Sequence, residues 1–192
     1  MTLLGSKLPA DADIWALFSR GVADRRSPFR TPAVATVGSE RIPTARTVVL
    51  RAADRARRSL TLHSDTRAEK VRHLEEEAVL AWHFWSPRKR LQIRAVGPAT
   101  IARSGPEVEA AWAALSGHQR RTYAASPAPG SALALAGDGL PDLESAEEGR
   151  ANFCVITCVL ERLDILELAR TGHRRCVLTW SADAWASQWV VP

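Results

Sequence analysis

The sequence predicts a mainly β (α+β) fold, an antiparallel β-barrel with peripheral helices, in one domain over residues 1–192. Two observations carry this reading. Short runs rich in β-branched and apolar residues follow one another at turn-length spacing, and only three stretches repeat their apolar residues at helical spacing. A chain of 192 residues is long enough for one full hydrophobic core.

The first helical stretch is 11–24, with Asp11 as its cap and Ile14, Leu17, Phe18 and Val22 at helical spacing. Pro28 and Pro32 end that pattern. Residues 33–37 predict a first strand, with Val34 and Val37 on it, and Gly38-Ser39-Glu40 a turn. Ile42 to Ala52 reads as one second strand, because β-branched residues dominate it and Pro43 restricts only its start. After a charged turn at 54–58, Leu60 to Ser64 predicts a third strand and Thr66 to Glu76 a helix that buries Val71 and Leu74. Ala78 to Trp85 and Leu91 to Ala102 predict two more strands around the basic turn 86–90, and Gly97-Pro98 predicts a bulge or bend. Pro106 opens a helix over 106–116. Residues 126–150 shift to Ala, Gly, Pro, Ser and acidic residues and predict a surface loop. Asn152 to Leu168 is one long strand or two joined ones, and 176–180 with 187–190 predict a closing hairpin around Ala182-Asp183.

Composition narrows the function classes. Hydrophobic residues make up 46% and charged residues 24%, ordinary for a soluble globular protein. The net charge of +5 is nearly all arginine, since only Lys7, Lys70 and Lys89 are lysines. Those arginines are spread among acidic residues, which favours solvated faces and local ion pairs over a nucleic-acid surface. The three cysteines, Cys154, Cys158 and Cys176, have no metal-binding spacing and fit buried free thiols in a reducing cytosol. Lys7, Asp11 and Asp13 interrupt any N-terminal apolar run, and no segment reaches the roughly 20 apolar residues of a membrane helix. A cytoplasmic protein with no membrane partner is the expectation.

The common glycine-rich phosphate loops and the nucleophile elbow are absent. His63, His73 and His83 recur every ten residues, a spacing that suits no compact metal site. What the residues offer is a distributed anion site. Arg46 lies on one strand, His63 and Ser64 end the next, and Lys70 lies in the first turns of a helix whose amides favour a phosphate. Read alone, Arg46, Arg67 and Lys70 are more readily surface charges, since such Arg and Lys pairs are common. Trp82 and Trp85 are placed in the core or in an interface between subunits, and Trp180, Trp185 and Trp189 in packing at the C-terminal end of the barrel.

The ordered set Arg46-Thr47-Val48-Val49-Leu50-Arg51, His63-Ser64-Asp65, Ala68-Glu69-Lys70 and Leu91-Gln92-Ile93-Arg94 resembles the pyridoxamine 5'-phosphate oxidase-like family of FMN-binding split barrels. Order and spacing fit over residues 40–102, and Asp164-Ile165-Leu166 with His173-Arg174-Arg175 partly meets the family's C-terminal signature. The resemblance implies an FMN-binding split barrel that works as an oxidoreductase on a small molecule. A flavin-binding module without turnover is the alternative, and a nucleic-acid-binding barrel a more distant one. By carry-over, Arg46 and Lys70 hold the FMN phosphate, helped by Ser64 and Arg67. The backbone of Thr47, Val48, Val49 and Leu50 faces the flavin ring, and Arg51 and His63 complete the cofactor-binding set. Gln92 hydrogen-bonds the cofactor, and Arg175 reaches it from a second subunit, so a homodimer with flavin at the interface is implied. His173, in a polar turn beside Arg174 and Arg175, is the candidate catalytic residue, with a plain surface role as the alternative. Departures also matter. Arg51, Leu166 and Thr171 stand where the oxidase has lysine, tryptophan and arginine, and its substrate set of Tyr, Arg and Ser is missing around Trp112 to His118. Vitamin B6 phosphates are therefore expected to be poor substrates.

Overall fold

A computed structural model of the chain describes residues 3–4, 8–137, 139–141 and 143–192. Lys7, one of the residues that break the N-terminal apolar run, lies outside the described residues, as do two positions of the predicted loop 126–150. Among the described residues are ten strands and four α-helices. Helix α1 (Asp11–Ala23) buries Ile14, Trp15 and Phe18, as its helical spacing requires. Asp11 is not its cap: Ala10 holds that position, and Asp11 is the first helical residue, paired with Arg55 at 2.9 Å.

Strands β1 (Ala33–Val37), β2 (Pro43–Thr47), β5 (Val79–Ser86) and the first half of β6 (Leu91–Ala102) form one antiparallel sheet with β8 (Arg162–Glu167), β9 (Arg174–Ser181) and β10 (Ala184–Val190). The sheet order is β10-β9-β8-β6-β5-β1-β2. A second layer joins β3 (Ala52–Asp54), β4 (Ser59–Asp65), β7 (Phe153–Val159) and the second half of β6. Strand β6 belongs to both layers. Leu91 to Val96 pair with β8, and Ala99 to Ala102 with β7. The expected irregularity at Gly97-Pro98 falls at this change of partner. A Cβ on Gly97 would come within 1.8 Å of the Val159 carbonyl oxygen, so only glycine lets the two strands close here.

The single strand expected over 42–52 is divided, and the reason is geometric. β2 pairs with β1 and β3 with β4, so the chain must cross between layers. It does so over 48–51. The Val48 and Leu50 amides donate to Pro32 and Arg30 carbonyls at 2.9 and 2.8 Å, and the Arg51 amide to Thr61 at 2.8 Å. The stretch 152–168 resolves into two strands, β7 and β8. The final turn is as expected: Ala182 and Asp183 both have positive φ, 47° and 58°, the backbone of a two-residue hairpin. Trp180 and Trp185 meet edge to face across that hairpin at 5.5 Å, and the Arg58 guanidinium lies 4.0 Å above the Trp180 ring.

The main core runs between α1 and the sheet through Phe18, Phe29, Trp82 and Phe84, with Val71 and Leu74 of helix α2 (Glu69–Glu76) at its side. A smaller apolar cluster, Val108, Trp112, Leu115, Phe153 and Val155, sits under helix α3 (Pro106–Ala113). The helix expected over 106–116 stops at Ala113. Ser116 then caps a separate short helix α4 (Gly117–Arg121), and Gln119 returns a bond to the Ser116 amide. The expected loop 126–150 is not loop throughout. From Leu143 it winds as a 3₁₀ segment to Asn152, tied to the helices where Glu147 takes Arg120 and the Trp112 indole.

Candidate functional site: the start of helix α2 and the open face of the sheet

Strand β4 delivers Ser64 and Asp65 to the mouth of α2. The Asp65 carboxylate accepts the Arg67 amide at 2.8 Å and grips its guanidinium at 2.8 and 3.0 Å. The same guanidinium donates to the Ala125 and Ser126 carbonyls, so Arg67 ties the chain beyond α4 to this turn. Helix α2 therefore begins at Glu69, not at Thr66, with Ala68 in the cap position and no side chain bonded to its first amides. An uncapped helix start favours an anion.

Two cations face this start. Lys70, on the first turn, donates to the Ser64 hydroxyl at 3.0 Å. Burial, and after it the positive charge of Arg46, lowers the pKa of its ammonium. Arg46 reaches in from β2. Its Nη1 donates to Thr36 Oγ1 at 2.7 Å and the Thr44 carbonyl at 3.0 Å, and its Nη2 to Thr44 Oγ1 at 2.6 Å and Glu69 at 2.9 Å. The buried His73 ring stands behind, with Nδ1 3.2 Å from Thr36 Oγ1. Arg46, Ser64 and Lys70 thus come together as the sequence implies. Arg67 is beside them, with its guanidinium committed to Asp65.

The predicted backbone donors are fewer than expected. Val48 and Leu50 have already given their amides to carbonyls across the bridge. In an extended chain successive amides alternate in direction, which leaves that of Val49 on the opposite edge. Beyond the bridge lie Arg51, His63 and Tyr123. Burial, then Arg51, pulls the His63 imidazole down to about 4, and its buried Nδ1 has no hydrogen-bond partner among the described residues. Burial pushes the Tyr123 phenol up to about 12. His63 and Tyr123 both pack edge to face on Phe153 at 5.0 Å. A cation, a neutral imidazole and a phenol next to aromatic rings form a polar group able to hold an anionic, planar molecule.

Gln92 and Arg175 lie elsewhere, on the outer face of the larger sheet. Strand register sets Gln92 opposite Leu166, and Leu166 opposite Arg175, so the three share one row. In the next row Asp164 accepts two hydrogen bonds from Arg175, at 3.0 and 2.9 Å, and also takes Arg94. Burial alone would raise the Asp164 carboxyl, but the two arginines hold it below its ordinary value. His83 Nε2 lies 3.2 Å from Gln92 Oε1. His83, Arg94, Asp164 and Arg175 border an open cleft of about 670 Å³ whose far wall is Ala33, Ala35, Ala45 and Ala81. Three strand spacings, about 14 Å, separate β2 from β6 across this sheet. His173 lies on the exposed turn after β8, apart from the α2 corner. Among the described residues no group of His, Cys, Asp and Glu could hold a metal ion, and no helix is long and apolar enough to cross a membrane.

Sequence reasoning passed over Thr36, Thr44, His73, Glu69, Tyr123 and the Asp164 pairs. Strand alternation held a signal for the first two, since Thr36, Thr44 and Arg46 share the face of β1 and β2 that turns toward α2. Nothing in the sequence pairs Asp164 with Arg94 or Tyr123 with Arg51.

The family described as pyridoxamine 5'-phosphate oxidase, FMN-binding domain, matches residues 13–103. No curated protein matches the chain in sequence. Among solved structures the chain is similar to a pyridoxamine 5'-phosphate oxidase-related, FMN-binding protein of Nostoc punctiforme. That likeness has 23% identity and a TM-score of 0.76, over 97% of this chain and 100% of the other. It is similar to PhzG of Burkholderia lata, solved with tetrahydrophenazine-1-carboxylic acid, at 19% identity and TM-score 0.75, over 95% and 91%. A general stress protein 26-related protein of Clostridium acetobutylicum follows at 12% identity and TM-score 0.55, over 86% and 95%. At these identities the likeness shows a shared fold. Residues 13–103 thus match the pyridoxamine 5'-phosphate oxidase FMN-binding domain, and the chain as a whole shares the split-barrel fold of these FMN-binding proteins.

Proposed function

We propose that the protein is an FMN-dependent oxidoreductase that acts on a small molecule, as a homodimer with flavin at the subunit interface. One observation supports this above the others. Inside an FMN-binding domain, two partly buried cations, Arg46 and Lys70, meet at an uncapped helix start, and Lys70 rests on a neutral hydroxyl rather than a carboxylate. That donor set fits a single phosphate dianion. Ser64 holds the Lys70 ammonium in place, and Arg67 acts indirectly by fixing the 65–68 turn. The bridge 48–51 lies between this corner and the sheet and offers a backbone edge for a ring. Gln92 supplies a neutral hydrogen bond from the outer face, and Asp164 presents Arg175 toward a second subunit. Bound FMN would supply the electron transfer, and the chain would orient it and exclude water around it. Arg51 and His63 would complete the cofactor-binding set, with Tyr123 beside them. His173 stands as the residue to test for a role in turnover.

The outer face supports the dimer. Val37, Val79 and Trp85 are between 37% and 43% exposed there, beside the flat alanine wall of the cleft. An apolar patch of this kind on a small barrel marks a surface that a partner covers. The three cysteines are buried and free, with burial pushing their thiols up to about 11 for Cys154 and about 12 for Cys158 and Cys176. Inert reduced thiols accord with a cytoplasmic protein.

Mass spectrometry of the chromophore released from the purified protein, with light scattering of the loaded form, tests the reading. FMN in a dimer is the expected result. FAD, a stable flavin-loaded monomer, or no binding on titration with FMN would overturn it.

A further inference from the structure

We propose that Glu69 competes with the flavin phosphate for Arg46, so that it must swing away on binding and sets how tightly a phosphate is held. The inference rests on the reading of Arg46 and Lys70 as phosphate ligands. It starts from the two kinds of contact that Arg46 makes. Thr36 and Thr44 hold one side of the guanidinium through three bonds of 2.6–3.0 Å. Both threonines sit on paired strands, Thr36 is 1% exposed, and the buried His73 ring backs them, with its Nδ1 3.2 and 3.4 Å from their hydroxyls. This side is a fixed frame.

The remaining contact is different. The Glu69 side chain is 53% exposed, and it touches Arg46 through one oxygen at 2.9 Å. Its other oxygen is 4.0 Å from His73 Nε2. Exposed pairs of this kind contribute about 0.2–1 kcal/mol, so the carboxylate can be released at small cost. Glu69 is also the residue next to Lys70 on the same helix turn. A phosphate dianion shared by Arg46 and Lys70 would face that carboxylate as a like charge in a partly buried corner, where repulsion exceeds the strength of an exposed pair. Glu69 thus takes on Arg46 the place a ligand oxygen would take. The consequence is specific to the phosphate. Riboflavin has the same ring and ribityl chain without the phosphate and does not need Glu69 displaced.

Titration of apo protein with FMN and with riboflavin, followed by flavin fluorescence, tests the inference in wild type, Glu69→Gln, Glu69→Lys and Arg46→Ala. Glu69→Gln is expected to bind FMN about two- to fivefold more tightly, the strength of the exposed pair it removes. Glu69→Lys should bind it more tightly still, and riboflavin affinity should not change. Thermal unfolding of each apo variant checks that α2 is intact. Weaker or unchanged FMN binding in both Glu69 variants would overturn the proposal, since it would make Glu69 a positioning residue for Arg46 or a bystander. Equal tightening for riboflavin would overturn it as well. If instead Arg46→Ala leaves FMN affinity unchanged, it is the phosphate-site reading that fails.

Discussion

At the start of α2, Lys70 leans on a serine hydroxyl and Arg46 on two threonines and one exposed carboxylate. On the outer face of the sheet, Arg94 and Arg175 share Asp164, a carboxylate only 6% exposed. Both regions hold two cations and one carboxylate, but in the first the carboxylate is exposed and Lys70 bonds a neutral hydroxyl, whereas in the second both cations share a buried anion. The energetic meaning differs. A cation half removed from water and bonded to neutral groups gains strongly from an incoming anion, whereas one already paired to a buried carboxylate mainly holds structure and direction. Arg67 on Asp65, a few residues from Lys70, belongs with the second kind. Charge type alone therefore does not mark the ligand site; the partners of the charge do.

This contrast is broken most directly at Arg46. Arg46→Ala should weaken FMN binding by about 1.5–3 kcal/mol, the scale of charge-assisted hydrogen bonds, and should lower apo stability by about 1 kcal/mol because Thr36 and Thr44 lose a donor. Calorimetric titration against the thermal unfolding of the apo form checks both halves.

A second effect belongs to the same side of the molecule. The folded-state pKa of His63, about 4, lies below its ordinary 6.5, so the unfolded chain binds a proton that the folded chain does not. Stability contributed by the neutral ring is present above pH 6.5 and is lost as pH falls from 6.5 toward 4. The loss should approach about 2 kcal/mol, less than the full shift because the ring is only partly sealed from water. His63→Phe should flatten urea-unfolding free energies across that window. An unchanged slope would place the imidazole in contact with water.

The paired region should respond in stability before it responds in binding. Asp164→Asn leaves Arg94 and Arg175 without their anion, and a loss of about 1–2 kcal/mol is expected because both arginines keep access to water. The smallest effect is Gln92→Ala. A neutral hydrogen bond to the flavin is worth about 1 kcal/mol, so FMN affinity should fall about fivefold.

How much of this was legible in the sequence follows the chemistry. The strands around Val34, Trp82 and Ile93 could be read because alternation is dictated by burial on one face of the sheet. The break at 48–51 could not, since Val48, Val49 and Leu50 suit a strand equally well and only the change of partner layer ends it. The short helix α4 was hidden for another reason. Its signal is the Ser116–Gln119 cap, with no buried face on Gly117–Arg121 to give a period. In the site, Arg46, Ser64 and Lys70 were readable as an ordered set. Their frame, Thr36 and His73, was not, because a strand and a helix far apart in sequence meet there. The commitment of Arg67 to Asp65 depends on a turn geometry that spacing does not reveal.

The affinity of Lys70→Ala for FMN, measured beside its affinity for riboflavin, tests the central claim most directly. Among the described residues the Lys70 ammonium bonds the Ser64 hydroxyl, a neutral group that an alanine leaves without an unpaired charge, so loss of binding reports on the ligand. The account predicts FMN binding about tenfold to a hundredfold weaker than wild type, with riboflavin binding unchanged. FMN affinity equal to wild type, or an equal loss for riboflavin, would contradict the assignment of this corner to the phosphate.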